Sequence, residues 1–405
     1  MDVVIIGLGY VGLPLAIAAS KSGINVIGFD IDKSKISNLR LGIVDNPDVS
    51  SEEILTLLKS GNLKFEFELT KSSSKCTYII AVPTPLNNER MPEMKFVEAA
   101  CQLIAENVAE DSLIVSESTS YIGTLRNFIM PLILNKSGRL KLHFAVAPER
   151  IDPGNNKWSL KTTPRILSGI SDEATSRCKS LYSKFCEELI IVSKPEVAEA
   201  AKLFENTFRQ VNIALANQFY LISSKFEISA NEAIVAASTK PFGFMPFFPG
   251  IGVGGHCIPV DPSYLIYSAN TVNESSSLIA ESNSINKNMA MKIVSKISEK
   301  FGGDIIGKKI QVIGISYKTG VSDLRESPAI DLINELQKKG ASVIWHDPKV
   351  KIFNGVASSP ITDKIDLGLI VTPHEEIDLS IWKYSGVEVL DLSSINKDLG
   401  WPKFY

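Results

Sequence analysis

Short apolar runs recur along the first half of the chain. Residues 2–6, 25–29, 78–82, 113–116 and 144–147 are mostly apolar, with β-branched side chains in each run, the pattern of buried strands. Residues 13–22 between the first two runs have a helical pattern, which Gly23 ends. The regular alternation predicts a doubly wound parallel sheet up to about residue 193. From 195 to 228 the pattern becomes one long helix with few breakers, and further helices are expected over 231–238, from Asp261 onward, and over 283–301. Apolar runs return at 309–315, 342–346, 367–371 and 387–391, with a helix from Ser327-Pro328 to Gly340 among them. They predict a second, smaller α/β sheet.

One stretch breaks these periods. Residues 247–262 hold four glycines and three prolines, which exclude a helix interior or a central strand. A long loop of this kind inside a compact domain is usually functional. It presents Gly254-Gly255 before Cys257 and Pro259 after it, with His256 alongside and Asp261 four residues on. Permissive backbone on one side and stiff backbone on the other would hold a thiol in the open. A lone cysteine is more often a small buried hydrophobe; the glycines and the carboxylate bring a nucleophile level with that account.

The totals narrow the class. A chain of 405 residues suits two or three domains. A net charge of −3 gives no sign of nucleic acid or of an anionic membrane as partner. No apolar run has the length of a membrane span, and a first strand starting at Asp2 leaves no room for a signal peptide. The five cysteines are odd in number and include no CxxC pair, which argues against a zinc site and a disulfide framework. A reduced, cytoplasmic protein without a metal is expected.

Gly7-Leu8-Gly9-Tyr10-Val11-Gly12 lies between the first strand and the first helix, and Asp30 closes the second strand. A GxGxxG alone is weak evidence. In this context, with an acid about 20 residues on, it is the dinucleotide fingerprint. The glycines let backbone approach a pyrophosphate at a helix N-terminus, and Asp30 would bind the ribose hydroxyls and repel a 2′-phosphate. NAD is therefore expected over NADP. Pro83-Thr84, Thr119 and Glu149 follow later strands, on the ligand side of such a sheet; for each alone, a cap or turn is the commoner explanation.

On the long helix Glu199, Lys202, Asn206 and Arg209 share one face. They form either a solvated stripe or a Lys-Asn pair turned toward the thiol loop. In the last third, Lys318 and Arg325 lie in a loop at a sheet edge, which suits a phosphate-bearing ligand.

Taken together, these motifs resemble the UDP-glucose/GDP-mannose dehydrogenase family over essentially the whole chain. The matching pieces are the glycine fingerprint, Val82-Pro83-Thr84-Pro85, Glu117-Ser118-Thr119, Pro148-Glu149-Arg150, Lys202-Leu203-Phe204-Glu205-Asn206-Thr207, Gly254-Gly255-His256-Cys257 and Ser322-Asp323-Leu324-Arg325-Glu326-Ser327-Pro328. The resemblance implies a Rossmann-type NAD domain (1–194), a helical central domain that forms a homodimer (195–300), and a Rossmann-like α/β domain that holds the UDP-sugar (301–405). It implies a four-electron oxidation of sugar C6 to a carboxylate, consuming two NAD. Cys257 would hold the aldehyde as a thiohemiacetal and then as a thioester, Lys202 and Asn206 would stabilise the oxyanion, and Asp261 would assist the thiol or the water. Thr119 and Glu149 would position that water.

Contacts to NAD are implied for Gly7, Gly9, Tyr10, Val11, Gly12, Asp30, Pro83, Thr84, Thr119 and Arg325. Contacts to the sugar nucleotide are implied for Glu149, Arg150, Lys202, Asn206, Arg209, Phe248, Gly252, Gly254, His256 and Lys318. His256 is expected to pack or touch substrate rather than activate the thiol, because related sequences carry tyrosine there. UDP-glucose enzymes have GGYCLPKD around the thiol, whereas this chain has Gly-Gly-His-Cys-Ile-Pro-Val-Asp. It also has Pro-Glu-Arg-Ile-Asp-Pro-Gly-Asn over 148–155. Both forms resemble UDP-N-acetylhexosamine 6-dehydrogenases, the second most closely the UDP-N-acetylglucosamine branch, with the UDP-N-acetylmannosamine branch next and a role in polysaccharide biosynthesis implied.

Overall fold

A computed structural model describes all residues except 1, 45, 47, 48, 139, 153, 154, 156 and 395–398. The chain divides into two compact units. The first comprises 1–205 and 263–273, the second 206–262 and 274–405.

The first unit is built on strands β1 (Asp2–Ile6), β2 (Asn25–Phe29), β3 (Leu63–Glu66), β4 (Thr77–Ile80), β5 (Leu113–Ser116), β6 (His143–Val146), β7 (Arg165–Gly169) and β8 (Leu189–Ile191). Helices α1 (Gly12–Lys21), α2 (Lys33–Arg40), α3 (Ser51–Ser60), α4 (Lys95–Asn107), α5 (Met130–Lys136) and α6 (Asp172–Tyr182) connect them. The sheet order is β3-β2-β1-β4-β5-β6-β7-β8. β1 pairs in parallel with both β2 and β4, so the chain reverses its direction of winding beside β1. Ligand crevices open at such switch points. The predicted parallel sheet holds for β1–β6 only: β7 runs antiparallel to β6 and β8 pairs in parallel with β7, so the last two strands run against the other six. Among the described residues no helix lies between β6 and β7, and an antiparallel neighbour needs no crossover helix. Val3, Ile5, Ile79 and Val115 on one face and Ile80 and Ile114 on the other are fully buried, so both faces of the sheet are covered.

Helix α7 (Pro195–Ser223) is followed by α8 (Ala230–Ala237), α9 (Asp261–Thr271), α10 (Ser277–Lys287) and α11 (Met289–Lys300). The boundary between the units falls within α7 and again within α9. The single helix expected over 283–301 is two. At Asn288 the backbone turns to φ −87°, ψ 0°, and the side-chain amide donates to the Ser284 carbonyl at 2.9 Å, competing with the helix ladder.

The second unit also contains β9 (Lys309–Ile313), α12 (Pro328–Lys338), β10 (Ser342–His346), the ribbon β11 (Ile352–Phe353) and β12 (Val356–Ala357), β13 (Leu367–Ile370), α13 (Ser380–Ser385) and β14 (Val389–Asp391). Four of these strands form a parallel sheet in the order β10-β9-β13-β14. α11 and α12 bury Ile293, Ile297, Leu332 and Leu336 in its core.

Helix α7 is inside out relative to an ordinary surface helix. Glu199, Lys202, Asn206, Thr207 and Gln210 are buried, while Phe204 is 68 % and Leu215 62 % exposed. Of the two accounts of the polar stripe, the solvated one holds for Arg209, which is exposed, and fails for Glu199, Lys202 and Asn206.

Candidate active site

In the first unit the β1–α1 turn forms a cradle. Gly7 has φ +96°, and a Cβ there would lie 2.7 Å from the Ala81 carbonyl oxygen. A Cβ on Gly12 would lie 1.9 Å from the Gly7 carbonyl oxygen, whereas one on Gly9 would have nothing within 4 Å. Gly7 and Gly12 are thus demanded by the fold itself. Gly9 faces open space where a ligand can approach the backbone. No side chain caps the N-terminus of α1 and its first turn holds no acid, so its amides remain available to an anion. Asp30 is buried and accepts hydrogen bonds from Leu8 N (3.0 Å), Asp32 N (3.0 Å) and Lys35 Nζ (2.9 Å). It therefore fixes the turn. This arrangement fits a dinucleotide. Tyr10 and Val11 are half-buried in the same turn. Pro83 is exposed and Thr84 half-buried after β4; Tyr264 Oη on α9 donates to the Thr84 carbonyl at 3.1 Å.

Thr119 is half-buried in the segment after β5. Ser118 Oγ anchors that segment to the Val82 carbonyl at 2.7 Å, and Ile122 N donates to Ser268 Oγ at 3.1 Å. Glu199 on α7 accepts from Gly123 N at 2.6 Å and Leu125 N at 2.9 Å. Burial pushes its carboxyl up to about 7 against the pull of those two amides. The helix that bears Lys202 is therefore tied directly to the segment that bears Thr119.

Glu149, just beyond β6, is buried, and burial pushes it up to about 7 although Lys202 and Arg165 favour its anion. Its carboxylate accepts from Ile151 N. Such a group exchanges protons near neutrality. Arg150 is engaged by Glu205 (2.9 Å) and donates to the Pro164 carbonyl (2.9 Å). Lys202 Nζ lies 4.0 Å from Glu205. Of the Pro-Glu-Arg-Ile-Asp-Pro-Gly-Asn motif, Pro153 and Gly154 lie outside the described residues.

In the second unit the thiol loop is shaped by its neighbours. Gly255 has φ +88°, and a Cβ there would lie 2.9 Å from the Tyr317 ring; one on Gly254 would lie 2.8 Å from Tyr317 Cβ and 2.9 Å from Pro328. Gly252 is similarly close to Pro328, at 3.2 Å. The glycines thus let the loop run in contact with the segment bearing Lys318 and Arg325. The Cys257 carbonyl accepts from Val260 N (3.0 Å) and Asp261 N (2.8 Å), placing the thiol residue in the turn that leads into α9. Cys257 is half-buried; Cys76, Cys101, Cys178 and Cys186 are buried, and no disulfide joins any of the five. Burial raises the other four thiols, Cys101 to about 12. Cys257 is the one cysteine with the access that nucleophilic chemistry needs. Asn206 Nδ2 donates to Asp261 at 2.5 Å, both side chains being buried.

Arg325 is exposed, paired with Asp323 at 2.6 Å, and its Nη2 donates to His256 Nδ1 at 3.2 Å. Phe248, Gly252, Gly254 and Lys318 are half-buried. Three buried polar arrays went unrecognised in the sequence. Asn217 accepts from Gly250 N (2.8 Å) and donates to Asn286 (2.9 Å), pinning the start of the thiol loop. His374, Asp347 and Ser316 converge beneath the Lys318 segment: His374 Nε2 lies 2.9 Å from Ser316 Oγ and 3.3 Å from Asp347, and its Nδ1 accepts from Gly320 N at 3.1 Å. The third array, Glu117 with Arg165 and Tyr182, lies below Glu149 in the first unit. Uncharged Asn217 and Asn286 on long helices were the available signal for the first array. Among the described residues, no group of three or more His, Cys, Asp or Glu could hold a metal ion, and no helix is long and apolar enough to cross a membrane.

Family models described as the NAD binding, central and UDP binding domains of the UDP-glucose/GDP-mannose dehydrogenase family match residues 1–186, 196–288 and 311–386. The chain belongs to this family. It is an NAD-dependent nucleotide-sugar dehydrogenase, with an N-terminal sheet domain, a helical central domain and a C-terminal α/β domain. It is 33 % identical over 357 residues to UDP-N-acetyl-D-glucosamine 6-dehydrogenase of Salmonella typhi, covering 86 % of this chain and 83 % of that one. It is 33 % identical over 398 residues to UDP-N-acetyl-D-mannosamine dehydrogenase of Pyrococcus horikoshii, covering 95 % and 92 %. A solved UDP-D-ManNAc dehydrogenase structure from Pyrococcus horikoshii superposes with a TM-score of 0.88 at 32 % identity, covering 100 % of this chain and 97 % of that one.

Proposed function

We propose that this dehydrogenase oxidises the C6 hydroxyl of a UDP-N-acetylhexosamine to the carboxylate, with UDP-N-acetylglucosamine preferred. The observation that carries the two-stage oxidation is the thiol loop: one accessible cysteine in the turn that leads into α9, beside a buried Asn206–Asp261 pair. NAD, held by the Gly7–Gly12 turn and Asp30, supplies the hydride acceptor for each of the two oxidations. Cys257 holds the sugar carbon between them, so the reactive aldehyde is not lost. Lys202 and Asn206 stabilise the negative oxygen that forms when the thiolate adds. Asp261, oriented by Asn206, assists the thiol or the hydrolytic water. Thr119 and Glu149 position that water, and Glu149 takes its proton, consistent with a carboxyl raised to about 7.

The acetamido sugar is supported by the Gly-Gly-His-Cys form of the loop and by the relatives, whose names carry both epimers. The gluco epimer rests on the form of residues 148–155. A second reading, the manno epimer, is favoured by the relative matched over the larger share of the chain. A homodimer belongs to the proposal. Phe208, Leu215 and Ile222 recur every seven residues along α7 and are 40 %, 62 % and 52 % exposed, a stripe that a second copy would cover.

The test is NADH formed per mole of each UDP-sugar, with the product identified by mass. Two NADH per UDP-N-acetylglucosamine and poor use of UDP-glucose are expected. Faster turnover of the manno epimer overturns the choice of branch, and faster turnover of UDP-glucose than of both acetamido sugars overturns the subgroup.

A further inference from the structure

Glu117 is the first residue after β5, and Arg165 opens β7. The two side chains are 0 % and 3 % exposed, with Arg165 Nη1 at 3.3 Å from Glu117 Oε2. The same nitrogen donates to the carbonyls of Ala147 (3.3 Å) and Pro148 (3.2 Å), which immediately precede Glu149. Tyr182, at the end of α6, donates its hydroxyl to the other Glu117 oxygen, and its ring centroid lies 5.7 Å from the guanidinium. One cation therefore joins the end of β5, which leads into Thr119, to the end of β6, which leads into Glu149. A fully buried ion pair is weak evidence of stabilisation, since apolar replacements of similar volume often fold as well or better. Its presence directly beneath two site residues calls for another account.

We propose that Glu117 and Arg165 are positioning residues that clamp the strand ends bearing Thr119 and Glu149 and balance the charge felt by the Glu149 carboxyl. The proposal rests on the reading that gives Glu149 the proton transfer. The groups acting on Glu149 are Lys202 and Glu205 from α7, Arg165 from β7 and Glu117 after β5. Burial dominates and pushes Glu149 up to about 7; Lys202 and then Arg165 pull it down, while Glu117 and Glu205 push it up by less. Removing the Glu117 charge leaves the Arg165 cation unopposed and must lower the titration of Glu149. Removing both charges takes away the larger, cationic influence and must raise it.

The experiment is the pH profile of kcat/KM with UDP-N-acetylhexosamine for the unmodified enzyme, E117Q, the E117Q/R165M double variant and E149Q. The acid limb is expected near the Glu149 value of about 7 in the unmodified enzyme. It should fall by about one pH unit in E117Q and rise in the double variant, the scale of a nearby charge. Should E117Q fail to fold, the charge-neutral double variant carries the test, and an upward shift supports the proposal. A purely structural role would lower kcat and Tm in both variants and leave the limb in place, which overturns it. E149Q separates the two layers. A limb that persists in E149Q removes the assignment of Glu149 and this proposal with it. A limb that vanishes in E149Q but stays put in E117Q and the double variant removes the proposal alone.

Discussion

Gly9 and Gly12 belong to one motif, yet the structure gives them opposite reasons to be glycine. A Cβ on Gly12 would sit 1.9 Å from the Gly7 carbonyl oxygen, a backbone atom that cannot swing aside. Gly12→Ala must displace either the turn or the first turn of α1, at about 3 kcal/mol or more, the upper range for overpacking. At about 2–4 °C per kcal/mol, the expected fall in Tm without cofactor is roughly 6 °C or more. A Cβ on Gly9 would meet nothing within 4 Å, and its φ lies outside the left-handed region. Gly9→Ala should therefore leave the free protein unharmed, or stabilise it by about 0.4–1 kcal/mol through the unfolded chain. The new methyl would stand in the space a pyrophosphate needs. If its intrusion costs about 1–3 kcal/mol, NAD binding weakens by about 5- to 150-fold. Calorimetric melting without cofactor and titration with NADH measure the two quantities separately. Equal destabilisation by both variants, or unaltered NADH affinity in Gly9→Ala, would refute the division of roles.

Three further outcomes are expected. Cys257→Ala should fold as the unmodified protein does and lose net formation of two NADH per sugar by about 10³-fold or more, the scale of removing a central nucleophile; undiminished stoichiometry would eliminate the covalent reading. Asp30→Asn keeps an oxygen for Leu8 N but removes the charge facing a 2′-phosphate and loosens Lys35, so steady-state efficiencies should show a narrower NAD/NADP gap. The third concerns pH. Glu149 and Glu199 are both raised to about 7 from 4.5, so the folded state binds their protons more tightly than the unfolded chain does. Their contribution is fully present below about 4.5 and is lost as pH rises through about 7. The Tm of the cofactor-free protein should show a falling component over that window, and E149Q and E199Q should each flatten it. An unchanged slope in both variants would contradict the burial argument.

The strands were legible because a buried parallel strand is a contiguous apolar run, and Asp2–Ile6, Asn25–Phe29 and Ser342–His346 appear where that rule places them. The glycine cradle was legible for a different reason: its residues are adjacent in sequence. The Asn206–Asp261 pair and the clamp of Glu117 and Arg165 join positions separated by 55 and 48 residues. No local period encodes such a partnership. The break at Asn288 was hidden because asparagine inside a helical pattern is ordinary until its side chain takes the Ser284 carbonyl.

Helix α7 shows where pattern reasoning stops and what further physics would extend it. A polar stripe at 3.6-residue spacing looks the same whether it faces solvent or the interior. The decision lies on the opposite face. Phe204, Phe208, Leu215 and Ile222 are large apolar residues that a solvated polar stripe would require to be buried, and all four are exposed. The inward face carries Asn206, Gln210 and Asn217, amides that donate and accept without bringing a charge, and each has a hydrogen-bond partner inside its unit. Uncharged amides can satisfy one another in the interior at far lower desolvation cost than lysines or glutamates. Where two charged residues, Glu199 and Lys202, nonetheless share that face, the expense of burying them must be offset by something else. For Glu199 the offset is visible in two backbone amides. For Lys202 it includes the carboxyl of Glu149, whose anion the lysine favours. Charge on an inward helical face, flanked by amides and backed by exposed aromatics, thus separates a buried polar stripe from a solvated one.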